Sequence, residues 1–135
     1  MKQSKLFQPI NQPKVKTITP YDPKNDFVLI TGSVSIFGFE FFCGSVVLTN
    51  DEGIQIKPCN VLTPDIMLQN ELGKSGVKQG DLVHIERKKI KGKKIKNIYH
   101  VTPIKVTDED AKKQLEKEVN DFTPIDLADF DEVVL

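Results

Sequence analysis

From Phe27 the chain alternates apolar and polar positions with a period of two, the signature of a strand with one dry face. Val28, Ile30, Val34 and Ile36 share one parity, and Thr31, Ser33, Ser35 and Phe37 the other. Gly32 interrupts the run, which suits a bulge or a sharp bend. After a turn near Gly38 a second strand points Phe42, Val46 and Leu48 inward, with Phe41, Cys43 and Ser45 on the other face. Asn50-Asp51-Glu52-Gly53 reads as a turn into a short third strand, Ile54 and Ile56 inward, Gln55 and Lys57 outward, ended by Pro58.

The period then changes. Thr63 as N-cap, Pro64 at the first position and Asp65 near the positive dipole end predict a helix with Ile66, Met67 and Leu72 on its apolar side and Gly73 as its stop. Gln79-Gly80-Asp81 turns into a fourth strand, Leu82 to Ile90. A loop around Lys91-Gly92-Lys93 leads to a fifth, Lys94 to Ile104. Pairing Val83 with Val101 and Ile85 with Tyr99 puts four large side chains on one face; Ile85 opposite Ile98 is the other register. Thr107-Asp108-Glu109-Asp110 looks like a capping box, opening a helix whose stripe of Ala111, Leu115, Val119 and Phe122 suits docking on the strands.

This β-β-β-α-β-β order predicts an all-β fold, a five-stranded Greek-key barrel with a short helix between strands three and four, followed by a C-terminal helix and acidic tail. It divides the chain into a basic proline-rich arm (1–26), a barrel domain (27–106), an amphipathic helix (107–122) and an acidic flexible tail (123–135). An SH3-like barrel competes but normally lacks a helix at that point. The arm carries Pro9, Pro13, Pro20 and Pro23, which exclude a helix and pair poorly in a sheet. It reads either as an extended cationic arm or as a leader without order.

Charge changes the picture. The net charge of zero hides 16 Lys/Arg against 9 Asp/Glu from Met1 to Val106, and 3 Lys against 10 Asp/Glu from Thr107 to Leu135. The body attracts polyanions, and the tail competes with them. The densest segment, Arg87-Lys88-Lys89-Ile90-Lys91-Gly92-Lys93-Lys94-Ile95-Lys96, crowds seven cations into ten residues. Such crowding is unfavourable unless an anion relieves it, although edge lysines also discourage aggregation. Phe37, Phe39, Phe41 and Phe42 cluster around the first turn; by parity Phe42 is core, and Phe37 and Phe41 share the face of Lys57. Exposed rings on a basic surface stack bases at about 1–3 kcal/mol each, whatever the sequence. The same rings also suit packing under the arm or at a dimer contact.

Little suggests an enzyme. No Ser-His-Asp order, GxSxG or P-loop pattern occurs. His84 and His100 can face each other across the last two strands, but two histidines make an incomplete metal site, and Cys43 and Cys59 lack CxxC spacing. No metal and no cofactor are expected, and the thiols read as buried. No apolar run approaches a membrane span, and Met1–Lys5 leads into polar, proline-rich sequence, so an intracellular, cytoplasmic protein is expected.

A barrel, basic strands with aromatics, and an acidic C terminus ending in apolar residues together resemble the phage and bacterial single-stranded DNA-binding proteins of the OB-fold type. The resemblance spans Phe27 to Ile104 and the tail. It implies single-stranded DNA as the ligand of Phe37, Phe39, Phe41, Lys57, Arg87, Lys88, Lys89, Lys91, Lys93, Lys94 and Lys96. It also implies a role in replication or recombination, and host cytoplasm for a phage protein. The segment Asp129, Phe130, Asp131, Glu132, Val133, Val134 and Leu135 would then recruit replication or recombination proteins. The chain differs from the bacterial form in ending Val-Val-Leu rather than Pro-aromatic, and in having no tryptophan. An adaptor acting through its C-terminal peptide and an RNA-binding barrel are the alternatives, and a homo-oligomer is compatible with either.

Overall fold

The computed structural model describes residues 17–92, 96–122 and 132–133. It is mostly β. The elements are β1 (Thr17–Ile18), β2 (Asn25–Ile36), β3 (Phe39–Asn50), β4 (Gly53–Ile56), β5 (Asn60–Val61), α1 (Ile66–Lys74), β6 (Leu82–Ile90), β7 (Lys96–Ile104), α2 (Glu109–Asn120) and β8 (Glu132–Val133). Six strands form one antiparallel sheet in the order β4-β3-β2-β6-β7, with β5 also on β3. No ladder joins β4 to β7 among the described residues.

The expected single dry face is corrected: both faces of the sheet are covered. Val28, Ile30, Val83, Ile85 and Tyr99 line the first face with Leu62, and α1 closes it through Leu68 and Leu72. Leu29 and Val47 lie on the second face beneath Leu115, with Ile54, Ile56, Leu82 and Val119 around them. The stripe predicted on α2 therefore docks. Its N-cap is Asp108, whose carboxylate accepts from the Ala111 amide at 2.9 Å. Ile54 and Ile56 pack beneath this helix rather than in the first core. Leu48, expected inside, is exposed.

A bulge explains a second difference. Ile30 pairs with Gly44 and Gly32 with Cys43, so Thr31 is the extra residue. One inserted residue flips the side chains that follow. Val34 and Ile36 consequently leave the face of Val28 and Ile30 and join Cys43 and Val61 in a separate cluster, with Phe41, Cys59 and Phe122 against it. Gly32 leaves room for Phe122, which lies over it: a methyl group would stand 2.6 Å from the ring and force it to shift.

Helix α1 starts later than predicted. Asp65 is the N-cap, accepting from the Met67 amide at 3.0 Å, while Thr63 Oγ1 accepts from the Asp65 amide at 3.4 Å. That phase buries Leu68 and Leu72 and leaves Ile66 and Met67 exposed; the helix runs past Gly73 to Lys74. Burying the two leucines stabilises the fold by about 1.5–3 kcal/mol each. The β6–β7 register is two residues from the favoured one: Val83 faces Pro103, Ile85 faces Val101 and Arg87 faces Tyr99. A slip of two preserves the faces, so Tyr99 remains core.

The segment preceding β2 is tied to the body. Tyr21 donates its amide to Val61 O and its carbonyl accepts from Thr63 N, both at 2.8 Å. Asn60 Nδ2 donates to Thr19 O at 3.0 Å. Asp22 then accepts from Tyr99 and pairs with Arg87, and Lys24 O accepts from the Arg87 amide at 2.7 Å. Residues 19–24 thus bridge β5 to β6 and β7. Thr17–Ile18 pairs in parallel with Glu132–Val133, a contact between the arm and the tail that the hydrophobic pattern did not predict.

Candidate nucleic-acid interface

Strand β2 stops pairing with β6 at Asn25 opposite Glu86, so β6 and β7 continue past it as a two-stranded ribbon. Lys88 faces Ile98, Lys89 faces Asn97 and Ile90 faces Lys96. Lys88, Lys89, Lys91 and Lys96 are exposed. Among the described residues Lys88 Nζ lies 3.9 Å from Glu86 Oε1, a solvent-exposed contact of little energy. Lys93 and Lys94 lie outside the described residues, as do Asp129, Phe130, Asp131, Val134 and Leu135.

Arg87 differs from its neighbours. Its guanidinium is mostly buried and paired with Asp22. The Tyr99 hydroxyl donates to the other Asp22 oxygen at 2.8 Å, and burial together with that bond pushes the Tyr99 pKa upward. Arg87 therefore holds the N-terminal segment instead of offering a free cation. Alongside, Tyr21 donates to Asp26 at 2.6 Å, and burial plus this bond raises it from 10.0 to about 12.

The four phenylalanines of the first turn separate. Phe37 is 79% and Phe39 69% exposed, whereas Phe41 and Phe42 are half-buried against different clusters. Phe37 has φ 50° and Gly38 φ 82°, the paired positive values of a two-residue type I′ hairpin turn. Asn or Gly is the ordinary choice there, and a bulky side chain at positive φ is strained. The register sets this turn beyond one end of β2 and the lysine ribbon beyond the other. The two features expected to form one patch are thus set apart along the sheet. Lys57 is exposed just after β4, its amide donating to Val46 O at 2.9 Å.

A pair missed in the sequence stands nearer the ribbon. Phe27 and His84 are cross-strand partners with ring centroids 5.0 Å apart, and Phe27 is 39% exposed. His84 Nε2 lies 2.7 Å from Asn25 Oδ1. Alternation along β6 puts His84, Glu86 and Lys88 on one face. The available signal was the parity of Phe27, opposite to Val28, which marks it as outward; its neighbour of the same parity, Leu29, is the one that packs beneath Leu115 of α2. The histidines do not face each other: His84 is opposite Thr102, and His100 opposite Glu86. Among the described residues no group of three metal-ligating side chains occurs, and no helix is long and apolar enough to cross a membrane.

Comparison with protein-family models, with curated proteins and with solved structures finds no match to this chain.

Proposed function

We propose that the protein binds single-stranded DNA without sequence preference, through the lysine ribbon and the Phe27–His84 pair, with Phe37 and Phe39 as an outlying stacking point. The sheet order β4-β3-β2-β6-β7, with a helix between β5 and β6, supports an OB-type barrel in which residues 19–24 supply part of the closure. The observation that carries the reading is the ribbon itself. Lys88, Lys89, Lys91 and Lys96 project on a two-stranded extension free of the rest of the sheet, with one exposed carboxylate contact to them among the described residues. Phosphates neutralise such a row and release counterions, while the adjacent aromatic pair offers a face to a base. The acidic segment after α2 would compete for the same cations and recruit replication or recombination proteins.

Titration of labelled oligo-dT against wild type and against Lys88→Glu/Lys89→Glu/Lys91→Glu tests the reading. Loss of most of the affinity and a shallower salt dependence in the triple variant support it; equal affinity of the two proteins rejects it. Competition by an RNA oligomer of equal length separates DNA from RNA preference.

A further inference from the structure

Two irregularities flank one point of β3. Thr31 is the bulge residue of β2 opposite Cys43–Gly44. On the other side, Val47 pairs with Ile56 and Gly44 with Asn60, so the chain between β4 and β5 carries one residue too many around Pro58–Cys59. The two distortions aim their side chains at each other, and Thr31 Oγ1 lies 2.9 Å from Cys59 Sγ. Cys43, fully buried on β3, belongs to the cluster on which Cys59 packs. Ser45 Oγ, also fully buried, has no hydrogen-bond partner, an unusual state for a hydroxyl in a protein interior. A half-buried thiol therefore sits among a second thiol and two hydroxyls, one of them unused.

We infer that Cys59 is a peroxide-reactive thiol and Cys43 its resolving partner, the pair closing to a disulfide between β3 and the bulge that joins β4 to β5. The Thr31 hydroxyl, 2.9 Å from Cys59 Sγ, is placed to donate to a thiolate there, the nucleophilic form, and Cys59 is half-buried where Cys43 is fully buried, so a small oxidant meets Cys59 first. The neighbouring Cys43 thiol holds Cys59 below the ordinary thiol value of 9.0 against the opposing effect of burial, with Thr31 acting in the same direction as Cys43. Cys43 is pushed upward, chiefly by its bond to Cys59. The Cys59 thiolate attacks one peroxide oxygen, the O–O bond breaks and hydroxide leaves, giving a sulfenic acid. With the thiolate charge gone, the restraint on Cys43 is released. Its sulfur attacks Cys59 Sγ, the S–O bond breaks, and the departing hydroxide takes the Cys43 proton as water. Two electrons pass from the thiols to the peroxide.

The test uses the full-length protein. Native wild type is alkylated with iodoacetamide across a pH series and mapped by peptide mass. Cys59 reacting before Cys43, with a midpoint below 9.0, supports the inference; no native alkylation of Cys59, or Cys43 reacting first, overturns it. Dilute hydrogen peroxide should then link the Cys43 and Cys59 peptides within one chain, reversibly by a dithiol. Under the same peroxide exposure Cys43→Ser should leave a dimedone-trappable sulfenic acid on Cys59, and Cys59→Ser should leave Cys43 as a free thiol. Absence of the intrachain link in wild type refutes the pairing whether or not the variants fold.

Discussion

Asp22 accepts a hydrogen bond from Tyr99 at 2.8 Å, joining the segment before β2 to the core of β7. The same carboxylate pairs with Arg87, so one side chain satisfies a buried hydroxyl and a largely buried cation. Removing it leaves both donors unpaired, a larger penalty than the net value of the bonds. Asp22→Ala should lower stability by about 2–3 kcal/mol, and Arg87→Ala by a similar amount, with the double variant less destabilised than the sum. Denaturant unfolding of the three proteins measures the coupling. Additive losses would show that the two side chains do not act together.

Alkaline pH should loosen the same region. Tyr21 is raised from 10.0 to about 12 by burial and by its bond to Asp26, and Tyr99 is raised by burial and Asp22. A folded value above the unfolded one means the unfolded chain loses its phenolic protons first. The stabilising contribution is complete below pH 10.0 and is lost as pH rises toward about 12. Unfolding midpoints measured across this window should fall, and Tyr21→Phe should flatten the fall. An unchanged slope in that variant would contradict the assignment.

Two glycines separate tolerant from intolerant close approaches. A methyl group at Gly44 would stand 2.5 Å from Val28 Cγ1 and 3.1 Å from the Leu29 carbonyl oxygen, both inside a fully buried region. At Gly32 it would meet the ring of Phe122, just beyond α2. Backbone and buried valine yield less than a ring at a helix end. Gly44→Ala should therefore cost about 3 kcal/mol or more, and Gly32→Ala about 1–2 kcal/mol. Phe122→Ala should erase the Gly32→Ala effect and leave that of Gly44→Ala intact, as read by thermal unfolding.

These glycines also show what was legible in the sequence. Gly32 marked a bulge, but its consequence, the transfer of Val34 and Ile36 to the other face, follows only once Thr31 is identified as the extra residue. Apart from the two-residue β5 on β3, which makes the sheet six-stranded where five strands were expected, the strand and helix order from Phe27 to Asn120 was readable from changes in period. The stripe of Leu115 and Val119 was readable too, but not its docking place, because the second face of β2 and β3 alternates with serine and threonine and looks wet until α2 covers it. The roles of Arg87 and Phe27 were hidden for the same reason. Local charge and parity say what a side chain is, whereas Asp22 and His84, distant in sequence, decide what it does.

The turn at Phe37 joins stability to the proposed activity. A phenylalanine at φ 50° stores strain that asparagine or glycine relieves. Phe37→Asn should raise stability by about 1 kcal/mol, while weakening oligo-dT binding if the ring stacks a base. Greater stability with unchanged binding would remove Phe37 from the interface and leave the ribbon and Phe27 as its whole extent.

Amide and aromatic chemical-shift mapping of the full chain against a short oligo-dT at low salt addresses the proposed DNA-binding surface directly. The largest changes are predicted at Phe27, His84 and Lys88–Lys91, with smaller ones at Phe37–Phe39, all fading as salt is raised. A spectrum that oligo-dT leaves unchanged, or one in which changes spare the β6–β7 ribbon, would contradict the account.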